Sequence, residues 1–181
     1  MSGMHAILSM NIFMIGLIIS NQVIRRTNMP EIEVRIISLD PMRVASANGF
    51  GEQPETIAWE KLLAWAERQG IKDLDAHRFF GFNNPNLSPG SPNYGYEQWM
   101  TIGPDVEGDG EIEIKDYPGG FYAVMRSEGL QNISENWMKL AVWREESKYQ
   151  AAHHQWFEEC FTPHAENLED FVFDLYAPIV E

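Results

Sequence analysis

Residues 59–65 read WEKLLAW, and the same arrangement returns 78 positions further on, where residues 137–143 read WMKLAVW. In both segments a tryptophan, a leucine and a second tryptophan follow one another at intervals of three, a spacing typical of an amphipathic α-helix. Each segment therefore predicts a helix, and the recurrence of the pattern indicates an internal repeat.

Further matches accompany the two tryptophan motifs in the same order along the chain. With an offset of 78, Val44-Ala45 matches Tyr122-Ala123, Gly51 matches Gly129 and Pro85 matches Pro163; with an offset of 77, Pro41 matches Pro118 and Tyr96-Glu97 matches Phe173-Asp174. One such match would arise by chance, but an ordered series rarely does. We therefore predict two copies of one unit of about 75 residues, spanning 31–104 and 111–181.

Each predicted copy contains a strand, a helix and two further strands. In the first copy, residues 32–37 alternate apolar and charged side chains, a helix begins at Pro54 and is closed by Gly70, and the aromatic-rich segments 77–82 and 94–102 are typical of strands. In the second copy the strand segments are 111–114 with 121–125, 155–161 and 171–177, and the helix covers 132–146.

Two βαββ units of this kind cannot each cover both faces of a sheet. Side by side they predict an α+β fold, in which duplicated units form a mostly antiparallel sheet with two helices. The seam between the copies would form a central cleft, which is a common place for a ligand.

The charge of the chain excludes some partners and favours others. The net charge is −14, and residues 31–181 carry 11 basic against 27 acidic side chains. Such a surface repels phosphate backbones, so we expect no direct binding to nucleic acid. It attracts cations and basic protein surfaces. A purely solubilising role of the charge is the alternative.

Residue types that hold metals or perform catalysis are few or unsuitably spaced. Cys160 is the single cysteine, so no intramolecular disulfide and no cysteine-based metal site can form. The adjacent His153 and His154 would face opposite sides of a strand. No glycine-rich phosphate loop and no G-x-S-x-G motif occurs. We therefore predict no metal, no cofactor and no enzymatic activity, and the cysteine content fits a cytoplasmic location.

An apolar segment precedes the repeated region. Residues 6–20 are mostly apolar, but a membrane-spanning helix needs about 20 such residues. Arg25 and Arg26 follow the segment, whereas a secretory signal carries its basic residues in front. We therefore expect residues 1–30 to form an uncleaved arm that does not span a membrane. It would pack on its own domain or on a second copy, giving a homodimer, or be an extension without function.

Three further segments add to the tryptophan motifs: PGGFYA at 118–123, FEECFTP at 157–163 and DLYAPI at 174–179. Together with the duplicated βαββ plan, they resemble the GyrI-like domain, also called the effector-binding domain of AraC- and MerR-type multidrug regulators. The resemblance covers about residues 30–181 and rests on the order and spacing of the motifs.

The resemblance implies a domain at 31–181 that holds small hydrophobic, cationic or aromatic compounds in its central cleft. Some members of the family carry a helix-turn-helix DNA reader; others stand alone, including a gyrase inhibitor. Residues 1–30 lack the second helix, turn and basic face of such a reader. The chain is therefore similar to the stand-alone multidrug-binding kind, and an origin in an integron cassette fits. It would serve transcriptional regulation or drug sensing, with a separate regulator as partner.

The resemblance identifies Glu159 as the residue that faces a cationic ligand, because the family places a glutamate two residues before an aromatic residue in this strand. Strand alternation also puts Phe157, Glu159 and Phe161 on one face. A carboxylate between two phenylalanines is poorly solvated and would accept a cationic partner. In the alternative, Glu159 faces solvent, or a register shift by one residue exchanges it for Glu158.

Aromatic residues are the candidate walls of the cleft. Phe171 and Phe173 share one face of the last predicted strand, and Tyr94 and Tyr96 take the corresponding positions in the first copy. Trp65 and Trp143 lie about 120° around their helices from Trp59 and Trp137 and are candidates for the rim. Ordinary core packing is the alternative for all six candidates.

Two other functions remain open at this stage. The first is an acidic protein-interaction module, such as a gyrase-inhibitor-like partner of a basic protein surface. The second is a hydrolase of reactive small molecules, in which Glu159 would activate water from an apolar setting.

Overall fold

The computed structural model describes residues 32–180, which form two α-helices on one eight-stranded antiparallel sheet. The predicted α+β class is confirmed. The predicted arm at residues 1–30 lies outside the described residues. The strands are β1 (Arg35–Leu39), β2 (Met42–Gly51), β3 (Phe79–Asn83), β4 (Tyr94–Thr101), β5 (Glu113–Tyr117), β6 (Gly120–Glu128), β7 (Phe157–Cys160) and β8 (Val172–Pro178), and the helices are α1 (Pro54–Arg68) and α2 (Ile133–Glu146).

The first strand of each half of the chain pairs with a strand of the other half. Across the sheet it is β1-β6-β8-β7-β3-β4-β2-β5. β1 therefore pairs with β6 of the second half, and β5 pairs with β2 of the first half. At the centre, β3 pairs with β7 and joins the halves a third time.

The predicted unit lacked one strand, because β2 was not recognised in the sequence. Its middle is rich in small residues, including Ala45, Ala47 and Gly49, which have little β-propensity. The structure explains them, because α1 packs directly on this strand. A Cβ added to Gly49 would lie 1.9 Å from the backbone oxygen of Pro54. Close packing of the helix requires small residues in the strand, and their low β-propensity explains why the sequence did not predict it.

The segments 111–114 and 121–125, which were predicted together as the first strand of the second copy, belong to two strands that do not pair with each other. β5 ends at Tyr117 and β6 begins at Gly120. Gly119 connects them with φ of +77°, a left-handed conformation that favours glycine. A Cβ at this residue would also lie 2.0 Å from the backbone oxygen of Leu39.

Both helices lie on the same face of the sheet, α1 over β2 and β4, and α2 over β6 and β8. Pro54 occupies the first turn of α1, where its missing N–H is not needed. Trp59 and Leu62 pack on Phe79 and Met100. Neither helix of the described part of the chain is long and apolar enough to cross a membrane.

No helix of residues 32–180 lies on the opposite face of the sheet, and the sheet curls into a half-barrel around its own side chains. Phe80, Trp99, Tyr122, Phe157 and Tyr176 form an aromatic cluster there. Ring centroids in this cluster lie 5.0 Å apart for Phe157 and Tyr176, and 5.2 Å apart for Phe80 and Phe157. The curled face is therefore a second core, and the helix face is left to form the cleft.

Candidate ligand-binding site

A cavity opens on the helix face, above the central strands and beside the first turns of both helices. The empty space within it and the open solvent at its mouth together amount to about 770 Å³. Its lining residues are Glu55, Trp59, Gly81, Tyr96, Gln98, Leu130, Ile133, Glu158, Cys160, Pro163, Phe171 and Phe173.

The lining combines apolar walls with two carboxylates. Glu55 and Glu158 are acidic, and none of the lining residues, which all belong to the described part of the chain, is Lys, Arg or His. The remaining surface is mostly aromatic or aliphatic, with Trp59, Phe171 and Phe173 as the largest side chains. Within the described part of the chain, the cavity therefore has acidic groups and no basic group to pair with them.

Glu158 lies in β7 at the floor of the cavity and is 9% exposed. The Tyr96 hydroxyl donates a hydrogen bond of 2.6 Å to its Oε1, and Trp137 Nε1 donates one of 3.2 Å to its Oε2. Burial raises the pKa of Glu158 to about 7 and outweighs these two hydrogen bonds, which lower it. The negative charge of Glu55 adds to the increase. Glu158 therefore changes its charge near neutral pH.

Gly81 makes the contact between Tyr96 and Glu158 possible. It lies directly opposite Glu158 in the β3–β7 pairing, and the Tyr96 side chain crosses over it. A Cβ at residue 81 would lie 1.9 Å from the Tyr96 hydroxyl oxygen. Only a residue without a side chain leaves the tyrosine room to hold the carboxylate in its present position.

Glu55 is the second carboxylate, in the first turn of α1. The Tyr94 hydroxyl donates a hydrogen bond to its Oε1. Burial raises the pKa of Glu55, and the bond from Tyr94 opposes this shift. Both acids of the cavity are thus held by tyrosines from β4.

Glu159 lies on the other face of the sheet, so the expected orientation of β7 differs from the structure. Arg78 Nε donates to its Oε1 at 2.6 Å and Arg78 Nη2 to its Oε2 at 2.9 Å, and the Tyr176 hydroxyl also donates to Oε2. Glu159 does share a face with Phe157, as alternation predicted, but that face is the aromatic core of the half-barrel. The carboxylate in the cavity is Glu158, the alternative for a shift by one residue.

The aromatic candidates on the strands lie in four different places. Tyr96, Phe171 and Phe173 line the cavity, and Tyr94 contacts it through Glu55. Phe157 is buried in the opposite core, and Phe161 follows β7 and lies 46% exposed under the guanidinium of Arg126.

Trp65 and Trp143, the two tryptophans predicted at the rim, do not lie there. Trp65 is 0% exposed and packs in the core below α1. Trp143 stacks on Tyr149 with ring centroids 6.1 Å apart. Because Trp65 and Trp143 lie 120° around their helices from the first tryptophans, they face neighbouring elements and not the seam. Trp59 lines the cavity and Trp137 contacts Glu158, so the first tryptophan of each motif is the one near the cavity.

Several cavity residues carried no distinctive signal in the sequence. An acidic residue after Pro54 is ordinary at the start of a helix, where it complements the helix dipole, so Glu55 did not stand out. A glycine within a strand indicates close approach of another group, and that signal at Gly81 could have been used. The other lining residues not anticipated are Gln98, Leu130, Ile133, Cys160 and Pro163.

The fold and the cavity define a small-molecule-binding effector domain. The chain belongs to the Cass2 family, described as integron-associated effector binding protein, whose model matches residues 35–179. No curated protein is significantly similar to it in sequence.

Several solved structures of low sequence identity share this fold. The C-terminal domain of EcmrR has a TM-score of 0.65 at 11% identity, over 83% of this chain and 98% of that domain. SAV2435 bound to tetraphenylphosphonium has a TM-score of 0.51 at 12% identity, over 82% of this chain and 94% of its own. A hydrolase from Listeria innocua has a TM-score of 0.59 at 13% identity, over 84% and 94%.

Proposed function

We propose that the cavity binds hydrophobic, cationic aromatic compounds and that Glu158 supplies the counter-charge. The observation that carries this proposal is a buried carboxylate in an apolar-walled cavity that residues 32–180 line without a single basic side chain. A buried carboxylate without a cation is unfavourable, and its pKa of about 7 reflects that cost. A cationic ligand would replace the proton and relieve it.

The aromatic walls would add to the charge interaction. Trp59, Phe171 and Phe173 present rings towards the cavity, and a desolvated cation gains about 0.5–2 kcal/mol from each good contact with a ring face. The binding of tetraphenylphosphonium by SAV2435, which shares the fold, supports the same ligand class. The role in the cell would be drug sensing or regulation, in which a partner protein reads the ligand-bound state.

The test is a titration with tetraphenylphosphonium, followed by tryptophan fluorescence, in the wild type and in the Glu158→Gln and Glu159→Gln variants. We expect a dissociation constant in the micromolar range, which corresponds to a free energy of binding of about −8 kcal/mol. Loss of the charge in Glu158→Gln should weaken binding by about 10-fold or more.

Glu159→Gln is the matched control, because it removes a neighbouring carboxylate from the opposite face of the same strand. Its affinity should stay within about two-fold of the wild type. Absence of binding to the wild type, or a larger loss in Glu159→Gln than in Glu158→Gln, would contradict the proposal.

Hydrolysis is a second candidate function, favoured by the pKa of Glu158 and by the hydrolase that shares the fold. A carboxylate with a pKa near 7 suits a general base that activates water. In this reading the cavity would hold an electrophilic aromatic compound, and water would add to it. Mass spectrometry of a strained-ring aromatic electrophile incubated with the protein would test it: enzyme-dependent hydration that is lost in Glu158→Gln supports hydrolysis, and hydration at the background rate excludes it for that electrophile.

A further inference from the structure

We propose that the cavity accepts dicationic aromatic compounds, in which one cationic group pairs with Glu158 and a second pairs with Glu55. This inference rests on the proposed binding of a cation at Glu158. It adds the number of charges on the ligand and the residue that distinguishes dications from monocations, Glu55.

Glu158 and Glu55 belong to different walls of the cavity. Glu158 lies in β7 at the floor, whereas Glu55 approaches from the first turn of α1. Glu158 is 9% exposed and Glu55 is half-buried. One carboxylate therefore lies deep in the cavity, and the other lies at its side, nearer to solvent.

Each of the two carboxylates is held by a tyrosine of its own. Tyr96 donates a hydrogen bond of 2.6 Å to Oε1 of Glu158, and Tyr94 donates one to Oε1 of Glu55. The two tyrosines are two residues apart in β4, so they share a face of the sheet and their Cα atoms lie about 7 Å apart. Two acceptors that are fixed in advance favour a ligand whose charges have a matching separation.

The two carboxylates interact with each other across the cavity. The negative charge of Glu55 raises the pKa of Glu158, so the two groups are close enough to repel each other. Residues 32–180 add no Lys, Arg or His to the lining. A monocation compensates one carboxylate and leaves the other to a proton or to water. A dication compensates both and removes the repulsion between them.

An aromatic side chain accompanies each acid. Trp59 follows Glu55 by four residues on α1, so the two lie on the same face of the helix. Phe173 lies opposite Cys160 in the β7–β8 pairing, on the cavity face and two residues along from Glu158. Each cationic group would thus find a carboxylate and a ring. The body of the ligand would lie between α1 on one side and β8 on the other.

The experiment compares bis-benzamidines, joined by alkyl chains of increasing length, with matched compounds in which a carboxamide replaces one amidine. The replacement removes one positive charge and keeps the planar shape of the group. Affinities are measured by tryptophan fluorescence in the wild type and in Glu55→Gln, Glu158→Gln and Glu60→Gln. At the best length the dication should bind the wild type about ten-fold more tightly than the monocation. Glu55→Gln should reduce this preference to about two-fold.

Glu60→Gln is the matched control. Glu60 lies on the exposed side of the same helix and does not line the cavity, so this variant loses the same charge without a change in the cavity. The preference for the dication should be retained in it. This result separates pairing inside the cavity from the general attraction of a dication to an acidic chain. An equal loss of preference in Glu60→Gln and Glu55→Gln would overturn the inference.

Equal affinities of the two series for the wild type at every length would also overturn the inference while leaving cation binding intact, and this comparison does not depend on the folding of any variant. Retention of the full preference in Glu55→Gln would overturn it equally, as would unchanged binding of both series to Glu158→Gln. If neither series binds, the inference fails, and a parallel titration with tetraphenylphosphonium decides whether the proposed function fails with it.

Discussion

Binding of a permanently charged cation should strengthen as the pH rises through 7, because the cation competes with the proton on Glu158. Burial raises the pKa of Glu158 from its ordinary 4.5 to about 7. Cys160 and Tyr96 stay neutral around pH 7, because burial raises the pKa of Cys160 to about 12 and that of Tyr96 well above 10. Glu55, whose pKa burial also raises, lies on α1 and is the one acid that would broaden the profile.

The size of the effect follows from the ionised fraction of the carboxyl group. With a pKa of about 7, roughly one-tenth of Glu158 is ionised at pH 6 and nine-tenths at pH 8. The apparent affinity scales with the fraction of the binding-competent form. Affinity should therefore increase about ten-fold from pH 6 to pH 8, equivalent to about 1.4 kcal/mol.

Tetraphenylphosphonium is the right probe for this measurement, because it has no proton to lose. Isothermal titration at pH 6, 7 and 8, in buffers of different ionisation enthalpy, would give both the affinity and the protons released. Near pH 7 about half a proton should leave per cation bound. Tyr96→Phe removes a hydrogen bond that favours the ionised form, so its profile should move to higher pH.

A wild-type affinity that is flat from pH 6 to pH 8 would refute the reasoning, as would a ten-fold increase that survives in Glu158→Gln. The first result would mean that the cation binds without displacing a proton. The second would assign the titration to another acid, with Glu55 as the nearest candidate.

Three further predictions concern stability and packing. The pKa of Glu158 is higher in the folded state than its ordinary 4.5, so its contribution to the free energy of unfolding is full below pH 4.5 and is lost as the pH rises to 7. Urea denaturation at a series of pH values should show this loss as a decrease of roughly 3 kcal/mol in the free energy of unfolding. The decrease should be absent in Glu158→Gln. Glu159→Gln should lower the free energy of unfolding by about 1–3 kcal/mol, because it weakens the pair with Arg78, and an unchanged urea midpoint would contradict this role. Gly81→Ala should keep the circular dichroism of the wild type but displace Tyr96 and weaken tetraphenylphosphonium binding; a crystal structure with Tyr96 unmoved would disprove the steric argument.

The sequence predicted the helices well because their signals are local. The spacing of Trp59, Leu62 and their counterparts, with Pro54 at the start and Gly70 beyond the end, defines a helix without knowledge of what it packs against. β2 could not be recognised from local sequence in this way, because its small residues are explained only by the packing of α1 on the strand. Pairing between the halves is non-local and left no pattern in the sequence.

The orientation of β7 could not be decided from its residues. Phe157 and Cys160 are both largely withdrawn from solvent, but they face opposite sides, and two glutamates lie between them. Each face of the sheet has an apolar core, so the apolar residues of this strand do not show which face is the cleft. Either glutamate could therefore lie on the cleft face. The pairing that decides the matter, Gly81 opposite Glu158, becomes known only from the strand register. The proposed ligand class, in contrast, came from the resemblance and from the acidic charge, and it stays a prediction.

The register at the centre of the sheet has a consequence for symmetry. Gly81 and Glu158 are separated by 77 positions, the offset that also relates Tyr96 to Phe173, and they lie face to face where β3 meets β7. Two identical subunits joined at this seam would have to repeat the same residue on both sides of the axis. They would bring either two mutually repelling acids together or none at all. A single polypeptide escapes that restriction: it places one carboxylate at the seam and leaves the position opposite without a side chain, where Tyr96 reaches across to bond that carboxylate.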